Sequence, residues 1–379
     1  MTADIGIAMI GHAFMGKAHS QAWRMAPCMF KLPRNPHMRV LVGRDPEKAK
    51  QAATDLCWDE SESDWHAILD RSDIDVVDIC APGNVHSEIA VAALNAGKHV
   101  LCEKPLANTV DEAEQMAEVA TKASGRGVQA MVGFTYRRAP AIQLARKLVI
   151  EGRLGKIFHI RAQYLQDWLS SADAPFAWRL DKSLAGSGAL GDIGAHAIDL
   201  TQFVSGKQIQ EVSGSLSTFT PERLSADDGS LRAVTVDDSS SFLADFEDGA
   251  TGVFEVTRCA TGRKNSLRFE INGTLGSIAF DLEEMNVLQF FDGKTSSESA
   301  GFARVLATEP KHAYMKNWWP AGHILGYENL FTNQAVDFIN AIATGTQPVP
   351  SFAEGLQVQR VLAAVEESAR KRSWISVAR

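Results

Sequence analysis

The fold of the N-terminal half is decided by the stretch Ile5-Gly6-Ile7-Ala8-Met9-Ile10-Gly11-His12-Ala13-Phe14-Met15-Gly16. It opens with an almost wholly apolar run, as a strand buried on both faces of a parallel sheet should, and residues 17–25 after it can form a helix. Gly11 permits a tight turn, and Gly16 allows the helix to pack closely on the strand. Backbone amides at such a helix start bind the pyrophosphate of a dinucleotide. We expect the cofactor to contact Gly11, Ala13, Phe14, Met15 and Gly16, although Ala13 replaces the middle glycine of the usual fingerprint.

Further apolar runs alternate with segments that can form helices, and they occupy residues 39–42, 75–80, 98–102 and 127–132. One of the helices has well-marked ends, because Thr109 and Glu112 have the spacing of a capping box and Gly125 follows the last turn. Strands and helices repeated in this way indicate a doubly wound parallel sheet. We predict a Rossmann dinucleotide-binding domain over residues 1–137.

The end of the second predicted strand, Val42-Gly43-Arg44-Asp45, bears on which dinucleotide is bound. An acidic side chain here binds the ribose hydroxyls of NAD, whereas an arginine accommodates the 2′-phosphate of NADP. Gly43 occupies the place of the acid, and Arg44 follows with a guanidinium suited to phosphate. We expect Gly43 and Arg44 to lie at the cofactor and NADP to be preferred or accepted. In the alternative, Arg44 is a solvated turn residue, Asp45 contacts the ribose, and NAD is the cofactor.

The size and charge of the chain limit the classes of function. Its 379 residues exceed what one core usually serves, so we expect two domains. A net charge of -8, with basic residues only in short groups, argues against nucleic-acid binding. No apolar run reaches the roughly 18 residues of a membrane span. The N-terminus Met1-Thr2-Ala3-Asp4 lacks a basic signal-peptide region, so we expect a cytoplasmic location.

The spacing of cysteines and histidines tests for a zinc site or a disulfide framework. The five cysteines are odd in number, widely spaced and without a C-x-x-C pair, so neither a disulfide framework nor a zinc site is indicated. The histidines show no zinc-ligand spacing such as H-E-x-x-H. We therefore expect no metal.

Residues 138–379 are predicted to form a second α/β domain. Residues 155–164 alternate apolar and polar, as a half-buried strand does. Two later pairs of short strands have tight connections that indicate an antiparallel sheet, and they cover residues 240–246 with 250–256 and 267–271 with 277–280. Residues 329–343 are predicted to be an amphipathic helix of this domain. Segments 217–235 and 292–326 show little periodicity.

The stretch at residues 186–199 runs from a glycine-rich turn into a helix. Asp192 and His196 are four residues apart, so a carboxylate and an imidazole lie on one helix face and can act as an acid/base pair. In the alternative, Asp192 complements the helix dipole and His196 is a core histidine. The pair by itself does not decide between these interpretations.

Glu103-Lys104-Pro105 follows the fourth predicted strand, at the edge where doubly wound sheets bind ligands. A lysine there can polarise a substrate oxygen near the nicotinamide. Taken with the turn at residues 11–16, the segment Ala81-Pro82-Gly83-Asn84-Val85-His86 and the helix at 191–196, this motif resembles the glucose-fructose oxidoreductase, inositol dehydrogenase and MocA-like family. The resemblance covers nearly the whole chain.

The resemblance implies a Rossmann domain followed by an α/β domain whose large, open, mostly antiparallel sheet forms an oligomer interface, so we expect a homo-oligomer, a dimer or a tetramer. It also implies that Lys104, Asp192 and His196 are the catalytic residues. The family's cofactor-side motif usually reads T-P-N-x-x-H, and this chain has Ala81 for the threonine and Gly83 for the asparagine. The contacts expected on that side of the cofactor are Ala81, Pro82, Asn84, His86, Glu103 and Lys104.

Polar side chains interleaved with indoles suit a sugar or cyclitol, because aromatic faces cover the C–H surface of the ring while polar groups bind its hydroxyls. This pattern occurs in Tyr164-Leu165-Gln166-Asp167-Trp168 and in Trp178-Arg179, and it resembles the dehydrogenases of inositol, levoglucosan and related cyclic sugars within the family. The expected substrate residues are Gln166, Asp167, Trp178, Arg179 and His323. His323 lies in the aromatic segment 292–326, which either covers the substrate pocket or packs between subunits. For the polar residues, the alternative is strand-end hydrogen bonding or surface charge.

These observations predict an NAD(P)-dependent dehydrogenase that oxidises a secondary alcohol of a sugar, anhydrosugar or cyclitol by hydride transfer. His196 would take the hydroxyl proton, Asp192 would orient the substrate, and Lys104 would stabilise charge on the reacting oxygen. Two alternatives stay open. One is a glycoside hydrolase of the same family that retains its NAD, and the other is a non-catalytic dinucleotide sensor that binds a partner protein.

Overall fold

The computed structural model describes residues 4–226 and 228–378. The expectation about a leader rests on residues 1–3, which lie outside this range. The chain forms two compact units, one of Met1–Arg138 with Gly326–Leu356 and the other of Ala139–Leu325 with Gln357–Arg379. Within the described ranges, no helix has both the length and the apolar character needed to cross a membrane.

The first unit contains a six-stranded sheet. Its strands and helices are β1 Asp4–Ile10, α1 Phe14–Met29, β2 Asn35–Val42, α2 Pro46–Leu56, β3 Glu60–Glu62, β4 Val76–Ile79, α3 His86–Asn95, β5 His99–Cys102, α4 Val110–Ser124 and β6 Ala130–Val132. The strand order is β3-β2-β1-β4-β5-β6, and every neighbouring pair is parallel. The order reverses between β1 and β4, and doubly wound sheets bind dinucleotides at such a reversal. The predicted Rossmann sheet is confirmed.

The predicted capping box at the start of α4 is also present. The Thr109 hydroxyl accepts a hydrogen bond from the Glu112 backbone N–H at 3.2 Å, and the Glu112 carboxylate accepts one from the Thr109 N–H at 3.0 Å. The helix ends at Ser124, and Gly125 follows as its C-cap. Both ends of α4 are therefore set by side chains within a few residues of them.

The second unit is built on a nine-stranded sheet. The remaining elements of the chain are α5 Pro140–Ile150, β7 Ile157–Leu165, α6 Lys182–Ala185, α7 Ala195–Ser205, β8 Ile209–Ser217, β9 Glu222–Leu224, β10 Leu231–Ala233, β11 Ser239–Phe246, β12 Thr251–Thr257, β13 Ser266–Gly273, β14 Gly276–Asp281, β15 Val287–Asp292, β16 Ala303–Leu306, α8 Tyr327–Thr344, α9 Phe352–Lys371 and β17 Ile375–Ser376. The sheet order is β16-β15-β14-β13-β7-β12-β11-β8-β17. The predicted hairpins β11–β12 and β13–β14 are antiparallel, whereas β7 and β12 are parallel, so the sheet is mixed and mostly antiparallel.

Two segments that show little periodicity contain regular structure. Residues 217–235 include an antiparallel hairpin of β9 and β10, and residues 292–326 include β16 at the edge of the large sheet. These strands are only three and four residues long. An alternating pattern is too short to recognise over such lengths.

The helix predicted at 329–343 is present as α8, but it belongs to the first unit rather than to the second domain that was expected to contain it. Its Phe331 and Phe338 lie in the same buried cluster as Trp23 and Ala26 of α1. The apolar face of α8 is therefore buried against α1. The position of α8 along the chain does not show that it packs in the first unit, because a helix packs wherever a matching apolar face is exposed.

Candidate active site

The glycine turn after β1 has the geometry that a dinucleotide requires. Gly11 has φ +101°, and a Cβ there would lie 2.7 Å from the carbonyl oxygen of Cys80. A Cβ on Gly16 would lie 2.3 Å from the Gly11 carbonyl oxygen. Helix α1 begins at Phe14 with Ala13 as N-cap, and its first turn has no acidic residue and no side-chain cap. The amides of this turn therefore suit an external anion such as a pyrophosphate.

The turn after β2 presents Arg44 and leaves no room for an acid one residue earlier. A Cβ on Gly43 would lie 2.7 Å from the imidazole ring of His12. Asp45 is the N-cap of α2, because its carboxylate accepts a hydrogen bond from the Lys48 backbone N–H at 3.2 Å. That bond and the ammonium of the same lysine lower the pKa of Asp45. Arg44 is exposed.

A buried network that sequence reasoning missed lies beneath the Glu103-Lys104 motif. His19 Nδ1 is 2.9 Å from Asp78 Oδ1, and His19 Nε2 is 3.0 Å from Glu103 Oε1. Glu103, expected at the cofactor, is 5 % exposed, and its other oxygen accepts the Lys104 backbone N–H at 3.2 Å. The Trp23 indole donates to Asp78 at 2.8 Å. The network thus supports the backbone that carries Lys104, and a lone aspartate inside the apolar strand β4 is the signal that could have revealed it.

The charge state of His19 follows from this arrangement. Burial lowers its pKa, but the neighbouring Asp78 carboxylate outweighs burial and holds the pKa well above the ordinary value. The imidazolium then has a carboxylate at each ring nitrogen. His19, Asp78 and Cys80 also form a group with ligand atoms within 4.8 Å of one another. Burial raises the pKa of the Cys80 thiol to about 12, which favours the protonated thiol.

His86, expected at the cofactor, is buried and bonded to backbone. Its Nε2 lies 2.8 Å from the Ala81 carbonyl oxygen, and its Nδ1 lies 3.1 Å from the Pro105 carbonyl oxygen. Burial lowers its pKa, which favours the neutral ring. A neutral ring donates to only one of the two carbonyl oxygens, so the side chain packs between the loop after β4 and the loop after β5 and is bonded to one of them. Lys104, Ala81 and Pro82 are half-buried, and Asn84 is exposed.

In the second unit, the stretch that carries Asp192 and His196 begins as a π-helical turn over Leu190–Gly194 and continues as α7. Its start is held by Asp237, whose carboxylate accepts the N–H groups of Gly188 and Leu190, each at 2.8 Å. Burial raises the pKa of Asp237. π-Helical turns interrupt ordinary helices mostly at functional sites. The glycine-rich pattern predicts the helix but not the π turn.

The Asp192 carboxylate forms an ion pair that sequence reasoning did not anticipate. Its Oδ2 lies 3.0 Å from Nη2 of Arg258, which follows the last residue of β12. Arg258 is 1 % exposed, and Asp192 is 32 % exposed. The Asp192 carboxylate thus accepts a charge-assisted hydrogen bond from Arg258.

The ring of His196, which is 8 % exposed, lies beside that of Tyr164, and Tyr164 belongs to a hydrogen-bonded aromatic and amide wall of Tyr164, Gln166, Trp168 and Asn265. The rings of His196 and Tyr164 are 6.0 Å apart. Asn265 Oδ1 accepts bonds from the Tyr164 hydroxyl at 2.7 Å and from Gln166 Nε2 at 2.9 Å. Gln166 Oε1 accepts the Trp168 indole N–H at 3.0 Å. The structure therefore links the predicted Gln166 to Tyr164, the neighbour of the histidine, through Asn265, which follows Lys264 in a polar loop without a distinguishing pattern.

The other expected substrate residues have local partners. Asp167 accepts hydrogen bonds from Lys264 Nζ at 2.6 Å and from the Gly262 N–H at 3.1 Å, and the lysine lowers its pKa. The Arg179 guanidinium lies 4.5 Å from the centre of the Trp178 ring, and that indole is 37 % exposed. His323 is exposed, with Nδ1 2.9 Å from the Pro320 carbonyl oxygen. For Asp167, this ion pair matches the structural alternative, whereas Trp178 is exposed and the half-buried Arg179 stacks on it.

A Rossmann unit with a glycine turn suited to pyrophosphate, and a second unit with an aspartate and a histidine on one helix, define a dinucleotide-dependent oxidoreductase. Residues 5–134 match the oxidoreductase family with an NAD-binding Rossmann fold, and residues 142–279 match the GFO/IDH/MocA C-terminal domain. The chain belongs to the Gfo/Idh/MocA family of oxidoreductases, and its first unit is an NAD-binding domain.

Individual relatives cover the whole chain. Levoglucosan dehydrogenase of Pseudarthrobacter phenanthrenivorans is 41% identical over 388 residues, which is 99% of this chain and 98% of that protein. The solved structure of a levoglucosan dehydrogenase with NADH and levoglucosan has 42% identity and a TM-score of 0.95, and the match covers 99% of each chain. An oxidoreductase domain protein from Kribbella flavida has 60% identity and a TM-score of 0.97 over 100% of both chains.

Proposed function

We propose that this oxidoreductase oxidises a secondary alcohol of a sugar, anhydrosugar or cyclitol to the ketone, with the hydride passing to a nicotinamide dinucleotide. The observation that carries the proposal is the Asp192 and His196 turn beside the aromatic and amide wall. The 41% identical relative that is named levoglucosan dehydrogenase supports it and makes a 1,6-anhydrosugar the first substrate to test.

The wall has the chemistry of a carbohydrate subsite. Trp168, which is 43% exposed, offers an indole face to the C–H surface of a sugar ring. Asn265 Oδ1 accepts from two neighbours, so the amide's remaining capacity is donation by Nδ2 to hydroxyl oxygens. Such a site has apolar surface with a few placed polar groups, as small-molecule sites usually do. It suits a neutral polyol better than an anion.

Each of the three catalytic residues has a separate role in the reaction. The nicotinamide, when bound, accepts the hydride. His196 is the base for the hydroxyl proton, because histidine is the side chain that ordinarily exchanges a proton near neutral pH. Asp192, which accepts a hydrogen bond from Arg258, orients the hydroxyl and stabilises the imidazolium. Lys104 stabilises negative charge on the reacting oxygen, a role that the family resemblance implies.

We propose further that NADP is accepted as well as NAD. The turn after β2 has no acid at residue 43, Asp45 is engaged as a helix cap, and Arg44 is the exposed cation beside it. An arginine at this point pairs with a 2′-phosphate. The structure solved with NADH supports NAD for that relative.

We also propose a homo-oligomer, a dimer or a tetramer, that uses the open face of the large sheet. Strands β11 and β12 alternate buried and exposed residues, and the exposed side includes Leu243 at 49% and Val253 at 53%. An exposed apolar surface of this kind on a sheet suits a second copy of the chain. Light scattering on the purified protein measures the mass directly, and a monomer at micromolar concentration would refute this proposal.

The test of the main proposal is a screen that follows reduced nicotinamide with levoglucosan, inositols, aldoses and ketoses against NAD and NADP. We expect net reduction with at least one cyclic substrate. His196→Ala and Lys104→Met should each lower kcat and leave dinucleotide binding largely intact. Sugar release without net reduction would instead indicate the NAD-retaining hydrolase. No turnover across the panel would favour the dinucleotide sensor.

A further inference from the structure

Arg258 is held at a fixed place by its backbone. Its N–H donates to the Asp238 carbonyl oxygen at 3.0 Å, and its carbonyl oxygen accepts the Leu169 N–H at 3.0 Å. The first contact ties it to the segment that leads into β11, and the second ties it to the segment that follows β7. Arg258 thus lies where the ends of neighbouring strands converge on the start of the Asp192 turn.

The guanidinium of Arg258 contacts both the turn and the wall. Nη2 donates to Asp192 Oδ2 and to the Gly188 carbonyl oxygen, each at 3.0 Å. Its central carbon lies 5.3 Å from the centre of the Trp168 ring, so the indole covers the cation. The Arg258 side chain therefore sets the position of the Asp192 carboxylate relative to the helix start and also supports Trp168 of the aromatic and amide wall.

Burying Arg258 in this way is unfavourable for folding stability. Arg258 is 1 % exposed, and its Nε and Nη1 are buried without a hydrogen-bond partner among residues 4–226 and 228–378. A buried cation with unused donors is unfavourable, and a buried ion pair adds little net stability over apolar packing. The ion pair fixes a partly exposed carboxylate in one orientation, which apolar packing could not do.

We infer that Arg258 is a positioning residue for the reaction, which acts by holding the Asp192 carboxylate in place and by seating Trp168 against the substrate ring. The inference rests on the proposed function, because it assigns Arg258 an effect only through Asp192 and the substrate wall.

The test is a double-mutant cycle on the full-length protein with the substrate found in the screen. Arg258→Met should lower kcat by about 100-fold, the effect expected when a reacting group is displaced by about 1 Å. Asp192→Asn should lower kcat as well. If Arg258 acts through Asp192, the double variant has nearly the kcat of Asp192→Asn alone. Losses that multiply in the double variant would overturn the inference.

Two further variants separate positioning from general loss of stability. Arg258→Lys keeps the charge and should recover part of the kcat that Arg258→Met loses. Its KM for the sugar should lie above the wild-type value, because an ammonium does not support Trp168 as a guanidinium plane does. Arg138→Met is the matched control, since Arg138 is 2 % exposed and pairs with Asp337 at 3.2 Å in the first unit. It should lower the melting temperature without a comparable loss of kcat.

The outcomes for the inference and for the proposed function are distinct. If Arg258→Met and Arg258→Lys both keep full kcat, Arg258 has no positioning role while the proposed function stands. If Arg138→Met lowers kcat as much as Arg258→Met, the effect is one of stability and the inference fails. If Asp192→Asn keeps full kcat, the role assigned to Asp192 is wrong, and the inference falls with it.

Discussion

Replacing Gly188 with alanine tests whether the position of the Asp192 turn controls the rate. A Cβ at Gly188 would lie 1.9 Å from the Asp237 carbonyl oxygen and 2.6 Å from Asp237 Oδ1, whereas real Cβ contacts essentially never fall below 3.0 Å. The turn and the segment that carries Asp237 must therefore separate by about 1 Å, because a close-packed interior offers no space to absorb the methyl group. That movement loosens the two bonds by which Asp237 holds the helix start.

The expected magnitudes follow from this displacement. A misplacement of about 1 Å at a reacting group lowers the rate by about 100-fold. Overpacking costs about 1–3 kcal/mol, and weakening a hydrogen bond to a buried carboxylate costs about 1.5–3 kcal/mol. We expect kcat/KM to fall about 100-fold and the free energy of unfolding to fall by about 3 kcal/mol.

The assay compares Gly188→Ala with Gly194→Ala in the same stretch. A Cβ on Gly194 would meet Leu190 at 3.4 Å and Val256 at 3.5 Å, which are ordinary contacts. Gly194→Ala should keep its kcat and change stability by no more than about 1 kcal/mol. Steady-state rates, NADH affinity and the denaturant midpoint are measured for both variants. Equal kcat/KM in Gly188→Ala and the wild type, or equal losses in the two variants, would refute the reasoning.

Three shorter predictions concern the first unit. Gly16→Ala places a Cβ 2.3 Å from the Gly11 carbonyl oxygen, so the turn must open. Calorimetry should show that the affinity for NADH falls by about tenfold or more. An unchanged Kd for NADH would contradict this prediction. Because the folded-state pKa of His19 is raised, its stabilisation is complete below the unfolded value of about 6.5 and is lost as pH rises through the folded value. The stability advantage of the wild type over His19→Gln should therefore shrink as the pH rises above about 6.5, and a constant difference in denaturant midpoint would count against the imidazolium. Arg44→Ala should raise KM for NADP by about tenfold, as for the loss of one charge-assisted contact, and leave KM for NAD unchanged; equal effects on both would exclude the phosphate role.

Prediction from sequence succeeded where the signal lies within a few residues. The glycine turn at residues 11–16, the reciprocal bonds of Thr109 and Glu112, and the hairpin around Glu247-Asp248-Gly249 are all present. Each depends on backbone geometry and side-chain reach over about four residues, and such patterns are visible in the chain itself. The interval of apolar residues likewise predicted α8, although not the unit in which it packs.

Prediction failed where partners lie far apart in the chain. His19 meets Glu103 across 84 positions, and Asp192 meets Arg258 across 66. Neither pair has a spacing that could have suggested it. Each pair joins a residue of a helical segment to a residue that directly follows a strand, so both depend on how the helical segments pack against the sheets.

The sequence by itself determined the parallel sheet with its glycine turn, the mostly antiparallel second sheet and the helix that carries Asp192 and His196, because turn chemistry and apolar periodicity are local properties. Only the tertiary structure decided that Asp192 is paired with a buried arginine, that Glu103 supports Lys104 from within a buried network, and that Asn265 completes the wall beside His196. All three depend on charged or polar groups that are wholly or partly removed from water. What a buried charge does depends on which groups surround it in space, and that depends on strand order rather than on neighbours in the chain.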